Sequence, residues 1–546
     1  MVTPEQLIKL GLITKEQAKE ALEKKKQNPN KSFLDILYEL GYISKEEYLK
    51  ILAFDLKVPY VTELKNVRLR DIKVPANILK QFKAIPFEIK YNKVKIAMVN
   101  PLDYNARNYF QRIYRNAQIE FYLAHEEDIN KVLQLIENRQ QIQQIISDIK
   151  KELRGEAITG EESAIMRLID FILRGAIKKK ASDIHIEADE DGALIRIRIF
   201  GTLYEFLDLE SEIFNAISSR IKLEAGMDVS EKRKPQDGAF SREIDGNHFD
   251  FRVSTLPTVW GESIVIRILD KRNITKSLDE SGISPKNLEL LKKAISYPNG
   301  IFLVTGPTGS GKSTTLYATI NEVTGVDKKV ITVEDPVEYK LRGIQQVNVN
   351  ERAGLTFASA LKAILRQDPD IIMIGEIRDM ETLEIAIKAA LTGHLVLSTL
   401  HTNDAVGAVS RMIDMGAEPF MVGAALVGVE AQRLVKTICP YCKAEHKPPE
   451  AFLEPIRSIL PKDAKFYMGR GCEKCNMTGY AGRTPITEIF IKDDKLEAMI
   501  AKNKDKVELM EYLKNEKGFK PMFYDGLLKA LKGITTLEEV YKVARP

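Results

Sequence analysis

The sequence predicts a multidomain α/β protein, and two observations carry that expectation. From residue 278 onward, short apolar stretches (GIFLVTG, KVITVED, DIIMIGE, HLVLSTL) alternate with helical ones. That is the βα rhythm of a parallel sheet covered on both faces. The chain, at 546 residues, is also too long for one core, since a domain takes about 150 residues.

The elements before that sheet follow in order. LIKLGLITKEQ at 7–17 and LYELGYISKEE at 37–47 match at a fixed offset, pairing Leu7 with Leu37 and Gly11 with Gly41. Thr14 and Ser44 stand as N-caps before acidic first turns, so residues 1–57 read as two packed helical hairpins. Residues 58–140 read as a small α/β module, whose AIPFEIKYNKVKIAMVNP alternates as strands do and breaks at Asn100-Pro101. A glutamine-rich helix follows, then GEAITGEES without apolar period, and the linker is placed at 141–162. Residues 163–275 read as an α+β unit: an amphipathic helix (SAIMRLIDFILRGAIKKK), then LIRIRIF and SIVIRIL strands with arginines on one face. The parallel sheet occupies 276–435, a cysteine-bearing segment 436–480, and a charged helical region 481–546.

Composition excludes little. The chain is 44% hydrophobic and 29% charged with a net charge of +4, which argues for neither nucleic acid nor anionic membrane as partner. No apolar run approaches the ~20 residues that span a bilayer. The start, MVTPEQLIKLGLITKEQ, has acids and no apolar h-region. A cytoplasmic protein is expected, reaching any membrane through partners.

The chemistry begins with GPTGSGKST: Gly306, Pro307, Thr308, Gly309, Ser310, Gly311, Lys312, Ser313 and Thr314. It follows a strand and opens a helix, the context in which G-x-x-x-x-G-K-[ST] binds ATP. Backbone N–H groups wrap the phosphates, Lys312 reaches the β/γ-phosphates, and the Ser313 hydroxyl ligates Mg²⁺. Hydrolysis also needs an aligned water and neutralised charge. Glu334 and Glu376 end two strands at the carboxyl edge of the sheet. Glu334 is expected to orient or deprotonate water and Glu376 to hold Mg²⁺, roles that are interchangeable at this stage. His394 and His401 flank a third strand and are candidates for sensing the γ-phosphate. The chain's four cysteines, Cys439, Cys442, Cys472 and Cys475, form C-x₂-C-x₂₉-C-x₂-C, which suits a closed tetrahedral Zn²⁺ site of structural role better than disulfides in a reducing compartment.

These residues resemble the secretion ATPases of type IV pilus assembly and type II secretion, the GspE/PilB-like family. The motifs that carry the resemblance are SDIHIE (182–187), EKRKPQDG (231–238), FRVSTLPTVWGE (251–262), the phosphate loop, ITVEDPVEY (331–339), LRQDPDIIMIGEIRD (365–379), LTGHLVLSTLHTNDA (391–405), the cysteine pairs and GYAGRTPITEIF (479–490). The resemblance implies a RecA-like P-loop core, a PAS-like N2 domain and a homohexameric ring. Arg233, Arg252 and Arg267 of N2 would contact the nucleotide. The ring would act as a motor, driving pilus extension or pseudopilus growth with an inner-membrane platform protein and docking proteins. A nucleotide-gated scaffold and a DNA-translocating ring are the competing readings, the latter weakened by the small charge. The two-part N-terminus and the overall length resemble pilus assembly ATPases more than type II secretion ones, and the tetracysteine segment implies an assembly motor rather than a retraction motor. Two departures stand out. Ala239 replaces the arginine that follows PQDG, so a phosphate bond from that position is either missing or made by Arg242, and Phe200 replaces an aspartate. The N-terminal repeat resembles cyclic-di-GMP-binding modules, but Val2-Thr3-Pro4 and Ser32-Phe33-Leu34 stand where those carry Arg-Leu-Gly.

Overall fold

The computed structural model describes residues 3–64, 67, 71–90, 92–155, 163–190, 192–270 and 277–546, and every count or absence below refers to those residues. Two compact units result. The first is Met1–Asp270 with Cys439–Lys447 and Gly469–Tyr480; the second is Lys271–Ile438 with Pro448–Met468 and Ala481–Pro546.

The first unit opens with α1 (Pro4–Lys9), α2 (Lys15–Gln27), α3 (Phe33–Glu39) and α4 (Lys45–Leu56). Each starts on a capping box, at Thr3, Thr14, Ser32 and Ser44, which satisfies two end N–H groups reciprocally. Gly11 and Gly41, at φ +71° and +73°, end the first helix of each hairpin in the left-handed turn that suits glycine. The repeated Leu7 and Leu37 are both fully buried. Next come α5 (Ala76–Phe82), β1 (Ala84–Lys90), β2 (Lys93–Met98), α6 (Tyr104–Ile113) and β3 (Gln118–Leu123), with β1 antiparallel and β3 parallel to β2.

Helix α7 (Glu126–Leu153) runs through the first part of the expected linker. The physical reason is apolar spacing. Ile129, Val132 and Ile136 bury in the β1–β3 core, and Ile142 and Ile149 bury in the next one, so one helix serves two cores. The rest of that linker, 156–162, lies outside the described residues.

The next core comprises α8 (Ala164–Lys178), β4 (Ala181–Asp189), β5 (Gly192–Ile199), β6 (Thr202–Glu210), α9 (Ser211–Glu224), β7 (Gln236–Ile244), β8 (Asn247–Thr258) and β9 (Gly261–Asp270). The strands form one sheet in the order β6-β5-β4-β9-β8-β7. Alternation sends Ile184, Ile186, Ile195, Ile197, Ile264 and Ile266 into the core. The opposite face carries a row set by register: Arg198, Asp183, Arg267, Arg252 and Ala239.

The second unit is built on a seven-stranded sheet. It holds α10 (Pro285–Ile295), β10 (Gly300–Thr305), α11 (Lys312–Val323), β11 (Val330–Glu334), β12 (Gln345–Asn348), α12 (Phe357–Ile364), β13 (Ile371–Ile374), α13 (Met380–Leu391), β14 (Leu395–Leu400), α14 (Ala405–Asp414), α15 (Pro419–Ala425) and β15 (Leu426–Ile438). After β16 (Lys443–His446), α16 (Glu450–Leu453) and β17 (Phe466–Gly469), the chain returns as β18 (Tyr480–Ile491). The sheet order is β12-β11-β13-β14-β10-β15-β18, with the pairs among β10 to β15 parallel. Every residue of β10, β11, β13 and β14 is buried, as sheets covered on both faces require. Beyond the expected boundary at 435, β18 extends the sheet. The tail helices α17 (Asp494–Ala501), α18 (Lys506–Lys517), α19 (Met522–Leu531) and α20 (Leu537–Val543) put Leu496, Leu509, Phe523 and Val540 into the same core as Ile372 and Val396. Among the described residues, no helix is long and apolar enough to cross a membrane.

Candidate functional site

The phosphate loop leaves the carboxyl end of β10 and enters α11. Gly306, Gly309 and Gly311 hold φ of +151°, +78° and +90°. A Cβ on Gly306 would sit 2.5 Å from Ser310 Oγ and 2.6 Å from the Gln432 carbonyl, and one on Gly311 would sit 2.6 Å from Gln432 Nε2. Only glycine fits this cradle. Thr305 and Ser310 carry buried hydroxyls with no hydrogen-bond partner among the described residues. Those hydroxyls, the loop N–H groups and the N-terminus of α11 suit a phosphate-bearing group. Lys312 Nζ donates to the carbonyls of Gly306 (2.9 Å) and Pro307 (3.0 Å). Burial lowers its pKa, Glu376 works against that, and Arg433 adds to it. Ser313 and Thr314 lie at the first turn of α11, both exposed.

The two acidic candidates differ. Glu334 is buried, and its oxygens accept hydrogen bonds from Tyr317, from Thr332 (2.7 Å) and from Gln346 (3.2 Å). Burial first, and the bond to Glu334 second, push the Tyr317 phenol well above its usual range. Glu376, just past β13, is engaged by Arg378 and lies 3.3 Å from His401 Nε2. Burial would raise its pKa, but the Arg378 and His401 contacts outweigh that and hold the carboxylate ionised. Arg378 also reaches Asp335 at 3.6 Å, so an acid–base chain lines the carboxyl edge of the sheet. A charged Glu376 facing Lys312, together with the Ser313 hydroxyl, provides donors of the type Mg²⁺ prefers.

The histidine pair separates. β14 is parallel to β10, with Leu395 opposite Gly300 and Leu400 opposite Thr305. His401 therefore follows the end beside the phosphate loop. His394 precedes the other end, about 20 Å away at roughly 3.3 Å per residue. There its Nδ1 lies 2.9 Å from the Ala389 carbonyl. The strand register removes His394 from the phosphate edge and leaves His401 there.

The arginines lie in the first unit. Arg252 and Arg267 are register partners on the polar sheet face, and Arg267 Nε donates to Asp183 at 3.1 Å. Arg233 is exposed and held by Glu231. Arg242 cannot replace the arginine missing at Ala239. The two positions differ by an odd number of residues on one strand and so face opposite sides, and Arg242 is committed to both Glu224 oxygens at 2.7 Å.

The four cysteines converge in the first unit, with their sulfurs all within 4.8 Å of one another. Three Sγ···Sγ separations are 3.9 Å (Cys439–Cys472), 3.8 Å (Cys442–Cys475) and 3.7 Å (Cys472–Cys475). A tetrahedron with Zn–S of about 2.3 Å has edges of about 3.8 Å, whereas a disulfide needs about 2.05 Å. The four thiols thus have the size of a zinc cage. N–H groups of Gly471, Cys472 and Gly479 donate to the sulfurs at 3.1–3.3 Å, the arrangement that steadies thiolates. Gly469 and Gly479 pass so closely that a Cβ on the former would lie 1.9 Å from the other's carbonyl.

Sequence reasoning missed Gln432 and Arg433 on β15. Gln432 Nε2 donates to the Ser310 carbonyl at 2.7 Å, and Thr315 Oγ1 donates to Gln432 Oε1 at 2.8 Å. Gln432 lies 122 residues along the chain from the Ser310 it holds, so local spacing carried no signal for the pair.

A glycine loop on a parallel strand, acids on neighbouring strand ends and a four-thiol cage occur together here. Residues 159–542 match the family described as type II/IV secretion system protein. The chain belongs to that family. Its members are ATPases, and the α/β architecture with a RecA-like core is theirs. Residues 56–143 match the MshEN domain, downstream of most of the helical repeat. The type IV pilus assembly ATPase PilB of Thermus thermophilus is 40% identical over 518 residues, covering 93% of this chain. This chain spans 58% of that relative's length. Type II secretion system protein E of Aeromonas hydrophila is 47% identical over 385 residues, covering 70% of this chain and 76% of its own. The X-ray structure of the Yersinia pseudotuberculosis ATPase DotB superposes with a TM-score of 0.52 at 22% identity, over 69% of this chain and 93% of that one, a likeness of fold.

Proposed function

We propose that the protein is the ATP-hydrolysing motor of type IV pilus extension, working as a homohexamer beneath an inner-membrane platform protein and its docking proteins. The observation that carries the catalytic part is the chain Lys312, Glu376, His401 at the carboxyl edge of the sheet. ATP with Mg²⁺ would supply the γ-phosphoryl group and its charge. Gly306–Thr314 hold the phosphates, and Ser313 with Glu376 holds the metal. Glu376, ionised and reachable, also serves as acceptor for the attacking water's proton. Glu334, with its oxygens already engaged, braces that edge through Tyr317, so the water-side role expected of it passes to Glu376, which keeps the metal. His401 reports the state of the γ-phosphate through its contact with Glu376. Arg233, Arg252 and Arg267 neutralise transition-state charge.

Pilus assembly is supported by the 40% identity to the Thermus PilB across 93% of this chain. The 47% identity to the Aeromonas type II secretion protein supports a second reading, pseudopilus assembly. The four-thiol cage would hold Zn²⁺ as a structural clamp, closed to water because all four positions are taken. Cyclic-di-GMP binding by the repeat is disfavoured, since Ser32 stands where relatives of that type carry arginine and its side chain caps α3. Isothermal titration tests that point, and micromolar binding would reverse it.

The central test is steady-state phosphate release with Mg-ATP for wild type, Lys312→Ala and Glu376→Gln. Loss in both variants is expected; equal background rates in all three would leave only a nucleotide-gated scaffold. Deletion in the source organism then separates lost pili from lost type II secretion.

A further inference from the structure

We infer that Gln432 and Arg433, consecutive on β15, are positioning residues for the phosphoryl-transfer reaction. Gln432 braces the phosphate loop, and Arg433 ties that brace to the His401 loop. The inference rests on the ATPase reading above.

Strand β15 pairs with β10 in parallel, with Ala431 opposite Thr305, so Gln432 emerges where the phosphate loop begins. It is 2% exposed. Its amide uses both polar ends on this one task, donating to the Ser310 carbonyl and accepting from Thr315 near the start of α11. The side chain therefore clamps the loop to the helix that follows it. A loop with three glycines has much backbone entropy to lose, and a clamp made beforehand removes that cost from nucleotide binding. Its backbone carbonyl adds a second restraint, closing the space beside Gly306.

Arg433 extends the clamp sideways. Nη1 donates to the Gln432 carbonyl at 3.1 Å, and Nη2 donates to the Asn403 carbonyl at 3.1 Å and to its Oδ1 at 3.4 Å. Asn403 lies two residues beyond His401, and His401 contacts Glu376. A path thus runs by hydrogen bonds and chain from Ser310 through Gln432, Arg433 and Asn403 to His401 and Glu376. The hydrogen bonds of the Arg433 guanidinium go to neutral oxygens, and no carboxylate pairs with it among the described residues. Burial holds its pKa below the usual arginine value, and its charge reaches Lys312. A half-desolvated cation beside the loop is placed to favour the more negative, γ-phosphate-bearing state. Planar, forked donors to two separate chain segments are what arginine supplies and lysine does not.

The experiment uses the full chain, steady-state ATP turnover and titration with a fluorescent ATP analogue. Gln432→Glu keeps the shape and the acceptor for Thr315 but loses the donor to Ser310. It should raise KM and the analogue's Kd by about tenfold with a smaller effect on kcat. Arg433→Ala should lower kcat by about tenfold or more while Kd moves less than about threefold, and Arg433→Lys should not restore it. Guanidinium ion added to Arg433→Ala should recover part of the rate, which a merely structural loss would not allow. Values of kcat, KM and Kd near wild type in Gln432→Glu and Arg433→Ala would overturn the inference. So would parallel losses with a lowered melting temperature and no guanidinium recovery. If Gln432→Glu does not fold, the Arg433 split and its rescue decide. Lys312→Ala, run alongside, separates the two readings. Wild-type turnover there sinks the ATPase reading, whereas an inactive Lys312→Ala beside normal Gln432 and Arg433 variants sinks this inference alone.

Discussion

Lys222→Met should destabilise the first unit by about 3–5 kcal/mol, the cost of breaking a buried ion pair from one side. Lys222 on α9 is 1% exposed and Glu262 on β9 is 5% exposed, and their charged atoms lie 2.8 Å apart. At an effective dielectric near 20, that separation is a gross attraction of about 6 kcal/mol, most of which offsets the desolvation of the two ions. Removing the ammonium leaves the desolvation of Glu262 uncompensated. It also takes the donor from the Glu231 carbonyl, which Lys222 reaches at 2.6 Å. The double variant Lys222→Met/Glu262→Met removes both charges and should recover most of the loss. The assay is urea unfolding followed by fluorescence of Trp260, the chain's one tryptophan, in the turn between β8 and β9 two residues before Glu262. An unchanged midpoint in the single variant would refute the reasoning. So would a double variant as unstable as the sum of the two singles.

Three further outcomes are expected. Glu376→Gln should lower kcat by about 10²- to 10⁴-fold with ATP still bound, and a rate near wild type would remove Glu376 from the chemistry. Metal analysis should find about one zinc per chain, and Cys439→Ser should lose it together with local folding; a metal-free protein with the same melting curve and activity would discard the cage. Glu430 is fully buried, its pKa pushed up to about 8 by burial first and by Asp525 second, with Lys529 opposing. The folded chain therefore keeps a proton that the unfolded chain releases near its ordinary pKa, and stability should fall between about pH 4.5 and 8 by about 1.4 kcal/mol per unit. Glu430→Gln should flatten that slope, while parallel pH–stability curves for the two proteins would contradict the assignment.

Much of the site was legible because its determinants are local. The phosphate loop needs a strand, three glycines and a helix start within a dozen residues, and GPTGSGKST supplies them in order. Each cysteine pair lies in one tight turn, and LIRIRIF alternates because a strand does. The linker was misplaced over 141–153 because its polar composition hid Ile142 and Ile149, whose burial shows only when the next core is present. The return of β18 into the sheet was hidden by about 40 intervening residues of cysteine segment, since a partner that far along the chain leaves no periodic trace.

The sequence alone therefore determined the parallel sheet, the phosphate loop, the acidic strand ends and the four-thiol ligand set, each written in neighbouring residues. Tertiary structure alone decided which of these meet. Parallel register kept His401 and excluded His394, and strand parity denied Arg242 the place of Ala239. Packing gave the oxygens of Glu334 to Tyr317, Thr332 and Gln346 while leaving Glu376 within reach. It also set Gln432 against a loop 122 residues away, with Arg433 beside it. The reason is physical: hydrogen bonds and charges act over a few ångströms of space, and only the assembled sheet converts distance along the chain into proximity.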